Sequence, residues 1–479
     1  MEYTIEKLNE YDIFRWFTAI SSIPRGSGNT AAVAEFIDSF AEERSLPHLR
    51  DGAGNVIVKK PASPGKADSE PLMLQGHIDM VCAVEDGRDI DMSVTPPRLV
   101  VDGGWLRADG TTLGADNGIA VAMMLALLDS SDAVHPPLVC VFTADEETGM
   151  DGAYGLDKRS LGARRMLNLD AETEGVFFAG CAGGNKAVVR IPVTSSDADG
   201  DAWRIELVGL AGGHSGIDID RGRAMAPMLM GRVLLALRHT AGVRCVRFDC
   251  GHADNAIAER AEAEIVCRAG HDVPAVVRRF EEILRAEYGM TEPALRLHAG
   301  RITRPPQALD GAGTDALICL LLNAPQGVME RSAYIAGMPQ TSSNLGIVRA
   351  DKGGIYAEAC IRSAIATQQD WINLRFASLA ASLGGTTECC RGASAWEFAP
   401  DSPLRDECIR AWEDMFGEKP VVKISHAGAE CGVFVSEMPG LDCVALGPNI
   451  ENAHTPRERL DIESAKRIYS YLKYVLLCL

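Results

Sequence analysis

Short apolar segments alternate with amphipathic segments of helical spacing in the first part of the chain. Apolar positions recur every three or four residues in 12–23 and 29–46, as in a helix that covers a core. The segments with the pattern of strands are 55–60, 71–78, 137–147 and 164–172. Helices and strands that alternate in this way predict an α/β fold, with a sheet covered by helices.

The pattern changes after a glycine-rich segment near residue 183. Strand patterns such as 203–210 then alternate with long amphipathic helical patterns such as 223–241 and 273–289, which predicts a second unit of the α+β type. The first pattern returns near residue 400. We therefore predict one domain formed by residues 1–186 and 399–479, with a second domain of residues 187–398 inserted into it.

Composition narrows the classes of partner. A chain of 479 residues is too long for one hydrophobic core, in line with two domains. Its formal net charge of −19 repels phosphate backbones and anionic lipids, and no basic cluster offsets it, so we expect no nucleic-acid and no membrane partner. The negative charge thus favours a small-molecule substrate. The first residues lack a signal-peptide pattern and the 14 cysteines are scattered, which favours the cytoplasm.

Acidic residues and histidines stand where the predicted strands end or the next helix begins. These positions are His77, Asp79, Asp116, Glu146, Glu147, Asp170 and, in a loop before the last helix, His454. Each has a plain structural explanation when taken alone, such as a helix N-cap or a solvated acid. Their joint occurrence predicts one metal site, because acids gathered after apolar strands are costly unless a cation relieves their repulsion.

Charge and spacing suggest how such a site is built. Asp116, Glu147 and Asp170 bring three negative charges against the four positive charges of two zinc ions, which favours a bound hydroxide. His77 and Asp79 are two residues apart on a strand, so one can bind a metal while the other orients it. The two carboxylate oxygens of Asp116 can bridge two cations.

Several long motifs resemble those of the aminoacyl-histidine dipeptidases, or cytosolic non-specific dipeptidases, of the dinuclear zinc aminopeptidase, carboxypeptidase and aminoacylase clan. The motifs run nearly end to end and include LQGHIDMVC, DGTTLGADNGIAVA, FTADEETGMDGA, LNLDAETEG, AGGHSGIDI and NAHTPRE. The resemblance implies a catalytic domain with a central mixed sheet flanked by helices, and an inserted α+β lid domain that also serves dimerisation.

The resemblance also implies a division of the metal ligands. His77 and Asp170 are expected to bind one zinc ion, Glu147 and His454 the other, and Asp116 both. The chain is thus expected to hold two zinc ions per subunit, although manganese or cobalt suits the same donor atoms.

The catalytic roles that the resemblance implies fall on two further acids. Glu146 is expected to be the general base, which takes a proton from a water between the metal ions and gives it to the leaving amine. Asp79 is expected to orient His77. The resemblance further implies a cis peptide bond between Asp116 and Asn117.

The substrate contacts implied by the resemblance lie mostly in the inserted domain. His214 is expected to stabilise the oxyanion, often from a partner subunit, which favours a homodimer. Arg362 is expected to bind the carboxylate of the substrate and Asn255 its carbonyl, although a surface ion pair and a strand-end turn explain these residues nearly as well. Glu430, with His426 nearby, could meet the free α-amino group.

The sequence thus predicts a dinuclear zinc dipeptidase that cleaves unblocked dipeptides of the Xaa-His type, such as carnosine, and others. Two alternatives remain open at this point. An N-acyl amino acid hydrolase would use the same metals without an acidic group for the amine, and a non-catalytic scaffold would only bind metal. The presence of Glu146 argues against the scaffold, because a storage site needs no general base.

Overall fold

The computed structural model describes residues 3–479, and the chain divides into two compact units. The first unit contains the chain up to Gly180 together with Trp396–Ser425 and Ala429–Leu479. The second contains Cys181–Ala395 and His426–Gly428. The predicted boundaries, after residue 186 and before residue 399, are six and three residues later than these division points, and the prediction placed residues 426–428 in the first domain.

Helices and strands alternate along most of the chain. The helices are α1 (Ile5–Leu8), α2 (Asp12–Ser21), α3 (Ala31–Glu43), α4 (Ala115–Asp129), α5 (Asp151–Gly155), α6 (Ala226–Ala241), α7 (Val273–Tyr288), α8 (Gly311–Asn323), α9 (Ala366–Ser382), α10 (Pro403–Phe416), α11 (Glu430–Glu437) and α12 (Ile462–Cys478), with a 3-10 turn at Lys158–Ser160. Within residues 3–479, none of these helices is long and apolar enough to cross a lipid bilayer.

Strands are numbered in the same way. They are β1 (His48–Arg50), β2 (Val56–Lys60), β3 (Leu72–His77), β4 (Leu99–Asp102), β5 (Trp105–Ala108), β6 (Leu138–Thr143), β7 (Arg165–Asn168), β8 (Val176–Cys181), β9 (Gly183–Ile191), β10 (Ser195–Asp197), β11 (Asp201–Val208), β12 (Gly213–His214), β13 (Arg244–Cys250), β14 (Ala256–Ile257), β15 (Ala261–Cys267), β16 (Arg296–Arg301), β17 (Gln307–Leu309), β18 (Gly327–Arg331), β19 (Pro339–Asp351), β20 (Gly354–Ser363), β21 (Thr386–Arg391), β22 (Val421–Ser425), β23 (Asp442–Ala445), β24 (Ile450–Glu451) and β25 (Arg459–Asp461).

The first unit is built on an eight-stranded mixed sheet with the order β1-β2-β6-β3-β7-β23-β8-β22. Strand β3 runs parallel to β6 and β7, whereas β2 pairs antiparallel with β6. Every residue of β3 and β6 is buried, as expected for strands covered on both faces. Because parallel strands end at the same edge, the residues that follow β3, β6 and β7 come together there.

The second unit is an α+β structure around a nine-stranded antiparallel sheet. Its order is β16-β11-β15-β13-β19-β20-β9-β21, and β18 pairs with β19. Helices α6 and α8 pack on each other and on β13, and α9 packs on β9 and β20. A separate two-stranded ribbon pairs His214 of β12 with Ala256 of β14.

Helix α4 carries one of the predicted ligands at its first turn. Its residues from Asn117 to Leu128 are all buried, in agreement with an apolar pattern that runs round the whole helix. Asp116 and Asn117 have non-helical backbone angles and are joined by the cis peptide bond that the sequence motif implied.

Candidate metal centre

The carboxylate of Asp116 lies between two imidazole rings in the first unit. Its Oδ1 atom is 3.1 Å from Nε2 of His77, and its Oδ2 atom is 3.0 Å from Nε2 of His454. The two ring nitrogens therefore face opposite oxygens of one carboxylate. This is the arrangement expected when a carboxylate bridges two cations that each take one histidine.

Each imidazole has a second carboxylate beside it. Nε2 of His77 is 3.5 Å from Oδ1 of Asp170, and Nε2 of His454 is 3.0 Å from Oε1 of Glu147. The donor atoms of His77, Asp116 and Asp170 lie within 4.8 Å of one another, and so do those of Asp116, Glu147 and His454. These two sets share Asp116 and could therefore hold two metal ions side by side.

A third set of donors overlaps the first two. Atoms of His77, Glu146 and Glu147 also lie within 4.8 Å of one another. Glu146 is therefore close enough to reach a group bound at the centre, although it belongs to neither set that contains Asp116.

Asp79 organises the residues around it without belonging to any of these sets. Its Oδ1 atom lies 3.2 Å from Nδ1 of His77, the ring nitrogen that points away from Asp116. Its two oxygens accept the backbone N–H groups of Glu146 and Glu147 at 3.0 and 3.2 Å, and Ser27 donates its hydroxyl as well. Burial alone would raise the pKa of Asp79, but these contacts outweigh it and lower the pKa to about 2.

The charge of the cluster fits bound cations. None of the lysine and arginine side chains that the structure describes forms an ion pair with the four carboxylates; only histidines do so. These four are Asp116, Glu146, Glu147 and Asp170. Burial, followed by the repulsion of Glu147 and other acids, raises the pKa of Glu146 to about 7. Crowded acids without basic partners are relieved by divalent cations, so the donor set fits two of them.

Asn117 is a further part of the centre that the sequence did not reveal. Its side-chain oxygen accepts the backbone N–H of His77 at 3.2 Å, and its amide group donates to the carbonyl of Leu169 at 3.0 Å. It thereby ties together the segments that carry His77, Asp116 and Asp170. Gly76 makes room for it, since a Cβ atom there would lie 2.3 Å from the Asn117 oxygen.

Glu430 is fully buried near the ends of β3 and β6. Its Oε2 atom accepts hydrogen bonds from the amide of Gln75 and the hydroxyl of Thr143, and its Oε1 atom has no hydrogen-bond partner among the described residues. Burial, followed by the charge of Glu146, raises its pKa to about 8. Glu430 is thus a buried carboxyl group, and only one of its two oxygens forms hydrogen bonds with the described residues.

In the second unit, the ring of His214 is held by its own loop. Its Nδ1 atom accepts backbone N–H groups from Gly216 and Ile217 at 3.2 and 3.3 Å. Burial and the charge of Arg362 lower its pKa, which favours the neutral ring. With Nδ1 accepting, the proton is on Nε2, so His214 offers one N–H donor outward.

Arg362 and His426 belong to the same unit. Arg362 lies opposite Ser342 in the register of β19 and β20, and its Nε atom donates to the hydroxyl of Ser215 at 3.4 Å. Nε2 of His426 is 2.8 Å from the hydroxyl of Ser342. The Nδ1 atom of His426 is buried and has no hydrogen-bond partner among the side chains that the structure describes.

The loop of Asn255 is fixed by a residue that sequence reasoning missed. The side-chain amide of Asn344 donates to the carbonyls of Asp254 and Ala256, which flank Asn255. The carbonyl of Asn255 accepts the N–H of Ser215, while its side chain is exposed. The backbone of Asn255 therefore takes part in a turn, while its side-chain amide is exposed to solvent.

The mixed α/β sheet and its acidic, histidine-containing edge are those of a metallopeptidase. Residues 73–477 match the group described as peptidase family M20/M25/M40, and the chain belongs to this family. The predictions of fold class and of a peptidase enzyme are thereby confirmed.

Individual relatives agree with this placement. The chain is 34% identical over 476 residues to the cytosol non-specific dipeptidase of Escherichia coli (strain K12), and the alignment covers 98% of each chain. The crystal structure of aminoacylhistidine dipeptidase from Vibrio alginolyticus matches with a TM-score of 0.95 and 32% identity, over 100% of this chain and 98% of that one. Aminopeptidase PepT from Bacillus cereus shares only the fold, with a TM-score of 0.57 and 16% identity over 97% of each chain.

The geometry leads us to expect two divalent cations per chain. Zinc titrated into chelator-stripped protein should bind with a stoichiometry of two, and Asp116→Ala should remove at least one equivalent because both sets of donors use this carboxylate. Mass spectrometry under native conditions counts the ions directly. The control variant Asp132→Ala, which removes an exposed carboxylate, should still bind two zinc ions. If Asp116→Ala also bound two zinc ions, Asp116 would not be a ligand that both ions need.

His426 gives a prediction on pH. Burial and Arg362 lower its pKa to about 4, so it should stay neutral through the range where a histidine ordinarily takes up a proton. Between about pH 6.5 and pH 4 the unfolded chain then binds one proton more than the folded chain does at this residue. The free energy of unfolding of the second unit therefore decreases as the pH falls through this range. NMR of labelled histidines, with His426→Gln for assignment, should show a midpoint near 4; a midpoint near 6.5 would refute this environment.

Proposed function

We propose that this chain is a dinuclear metal-dependent dipeptidase that hydrolyses unblocked dipeptides, including Xaa-His dipeptides such as carnosine. The observation that carries the proposal is the carboxylate of Asp116 between His77 and His454, with one further acid beside each ring. The names of the Escherichia coli and Vibrio relatives support a dipeptide as the substrate class. The cytosolic name of the first relative supports a cytoplasmic location.

The donor set supports a specific assignment of ligands. His77 and Asp170 hold one cation, Glu147 and His454 hold the other, and Asp116 binds both. Imidazole nitrogens and carboxylate oxygens suit zinc, and they accept manganese or cobalt as well. When bound, such ions polarise the scissile carbonyl and lower the pKa of a water molecule.

Glu146 is the proposed general base. Its carboxylate accepts a proton from the attacking water while the water oxygen forms a bond to the carbonyl carbon of the substrate. As the carbon–nitrogen bond breaks, Glu146 returns the proton to the leaving amine, so the group is unchanged after the cycle. Asp79 fixes the backbone of Glu146 through the hydrogen bond at 3.0 Å and keeps His77 oriented.

The second unit is proposed to contact the substrate and to form the interface of a homodimer. The Nε2–H group of His214 donates to the carbonyl oxygen as negative charge develops there. Arg362 pairs with the terminal carboxylate, assisted by Ser215, while Asn255 and His426 offer further polar contacts. Action of His214 across the subunits of a homodimer, which the family resemblance implies, is part of the proposal.

Glu430 bears on the alternative of an N-acyl amino acid hydrolase. An unblocked dipeptide carries an α-ammonium group, and the Oε1 atom of Glu430, which has no hydrogen-bond partner among the described residues, is its proposed acceptor. An acylated substrate has no positive charge to place there. The buried acid therefore favours the dipeptidase over the deacylase.

The proposal is tested by measuring hydrolysis of several substrates by the wild-type protein and by a variant that lacks the proposed general base. Carnosine, other Xaa-His dipeptides, Ala-Ala and N-acetylated amino acids are offered to zinc-loaded wild-type protein and to Glu146→Gln. We expect hydrolysis of the dipeptides and a loss of about 10²–10⁴-fold in kcat in the variant, with KM little changed. Glu43→Gln, at an exposed helix end, is the matched control and should keep full activity.

Other outcomes separate the alternatives. Cleavage of the acetylated amino acids alone would make the chain a deacylase. Binding of two zinc ions without hydrolysis of any substrate would support a non-catalytic scaffold. Full activity of Glu146→Gln on dipeptides would leave the reaction intact but remove Glu146 as its base.

A further inference from the structure

A buried carboxylate holds the turn that leads into the shared ligand Asp116. Glu458 is 2% exposed, and its Oε2 atom accepts the backbone N–H groups of Leu113 and Gly114, both at 2.8 Å. Its Oε1 atom accepts those of Ala115 at 2.7 Å and Asp116 at 3.1 Å. Four consecutive amides are thus bound by one side chain, and both of its oxygens are fully used.

A buried arginine holds the same turn through its carbonyl. Arg25 is 2% exposed, and it donates from Nη2 to the carbonyl of Gly114 and from Nη1 to the carbonyls of Ile78 and Asp79, each of the latter at 2.9 Å. Gly114 has a φ of +71°, and a Cβ atom there would lie 2.6 Å from Nη2 of Arg25. The glycine therefore allows the close approach of the guanidinium group.

Glu458 is also joined to the second histidine of the centre by a tight turn. The backbone N–H of Glu458 donates to the carbonyl of Thr455 at 3.0 Å, and the hydroxyl of Thr455 donates to the carbonyl of Asn452 at 2.8 Å. Asn452 and His454 have φ values of +55° and +62°, in the left-handed region, which asparagine and histidine adopt more readily than most residues other than glycine. The loop of His454 is thus a tight turn held by these two hydrogen bonds.

We propose that Glu458 and Arg25 are positioning residues that set the carboxylate of Asp116 between the two metal positions. Together they connect the segment that follows His77, the turn that leads into Asp116 and the loop of His454, so each contact lies close to one of the predicted ligands. The inference rests on the proposed function, because it concerns the geometry of the proposed metal ligands. Neither residue contacts the reacting atoms.

A purely structural role would explain part of the same contacts. A carboxylate near a helix N-terminus satisfies free amides and stabilises the helix whether or not a metal is bound. The two roles differ in what a substitution changes. Loss of a structural contact lowers the unfolding temperature of the metal-free protein, whereas loss of a positioning contact also weakens metal binding in the folded protein.

The test measures metal affinity in Glu458→Gln by competition with a chromophoric chelator. The glutamine keeps the length of the side chain, but its NH2 group would face two of the four amide donors. We expect at least one of the two zinc ions to bind about 10- to 100-fold more weakly. Glu292→Gln is the matched control, because Glu292 is 1% exposed and its carboxylate accepts the amides of Ala211 and Ala224 in the second unit. Its zinc affinities should equal those of wild type.

A spectrum and a conservative variant complete the test. The visible absorption of bound cobalt should change in Glu458→Gln and stay as in wild type in Glu292→Gln, since it reports the geometry of the ligands. If Glu458→Gln does not fold, Glu458→Asp replaces it: the shorter acid cannot reach all four amides and should also bind zinc more weakly. Unchanged affinities and spectra in the folded Glu458 variant would overturn the positioning role. Failure of wild type to bind two ions would instead overturn the proposed function.

Discussion

Mutual repulsion among partly buried carboxylates is the constraint around which the first unit is arranged. Asp116, Glu146, Glu147 and Asp170 share one edge of the sheet, where the charges of acids interact more strongly than in water. Two imidazoles face them, but none of the lysine and arginine side chains that the structure describes forms an ion pair with them. Cations are the natural counterpart of such a cluster, and the division of ligands into two sets around Asp116 gives each cation its own place.

The scaffold keeps these groups in place through backbone contacts rather than through side-chain packing alone. Asp79 accepts two amides of the segment that carries Glu146 and Glu147, and Asn117 joins the ends of β3 and β7. Parallel strands deliver the residues to one edge, and these polar side chains then fix the loops that follow.

The strand-end residues could be predicted from the sequence because their pattern is local. An apolar run followed by an acid or a histidine predicts a buried strand with a polar end, and parallel pairing brings such ends together. Asp116 was harder to interpret: the apolar pattern of α4 indicates a buried helix, but it says nothing of the non-helical start at Asp116 and Asn117. The individual roles of these residues came from the family motifs, not from the pattern.

Residues that act through long-range hydrogen bonds could not be predicted. Glu458 lies in a charged segment whose pattern indicates a solvent-exposed surface, and the amides that it binds are more than 340 residues distant in the sequence. Arg25 and Asn344 likewise bind backbone atoms of distant segments. In the second unit, the neighbours of Arg362 follow from the register of β19 and β20, which periodicity does not determine.

Anomalous diffraction at the zinc absorption edge, from crystals of the zinc-loaded protein, locates bound zinc ions directly. We expect two peaks about 3.5–4 Å apart, one on each side of the carboxylate of Asp116. The first should lie next to His77 and Asp170, and the second next to Glu147 and His454. A single peak, or two peaks that do not both contact Asp116, would show that Asp116 does not bridge two metal ions.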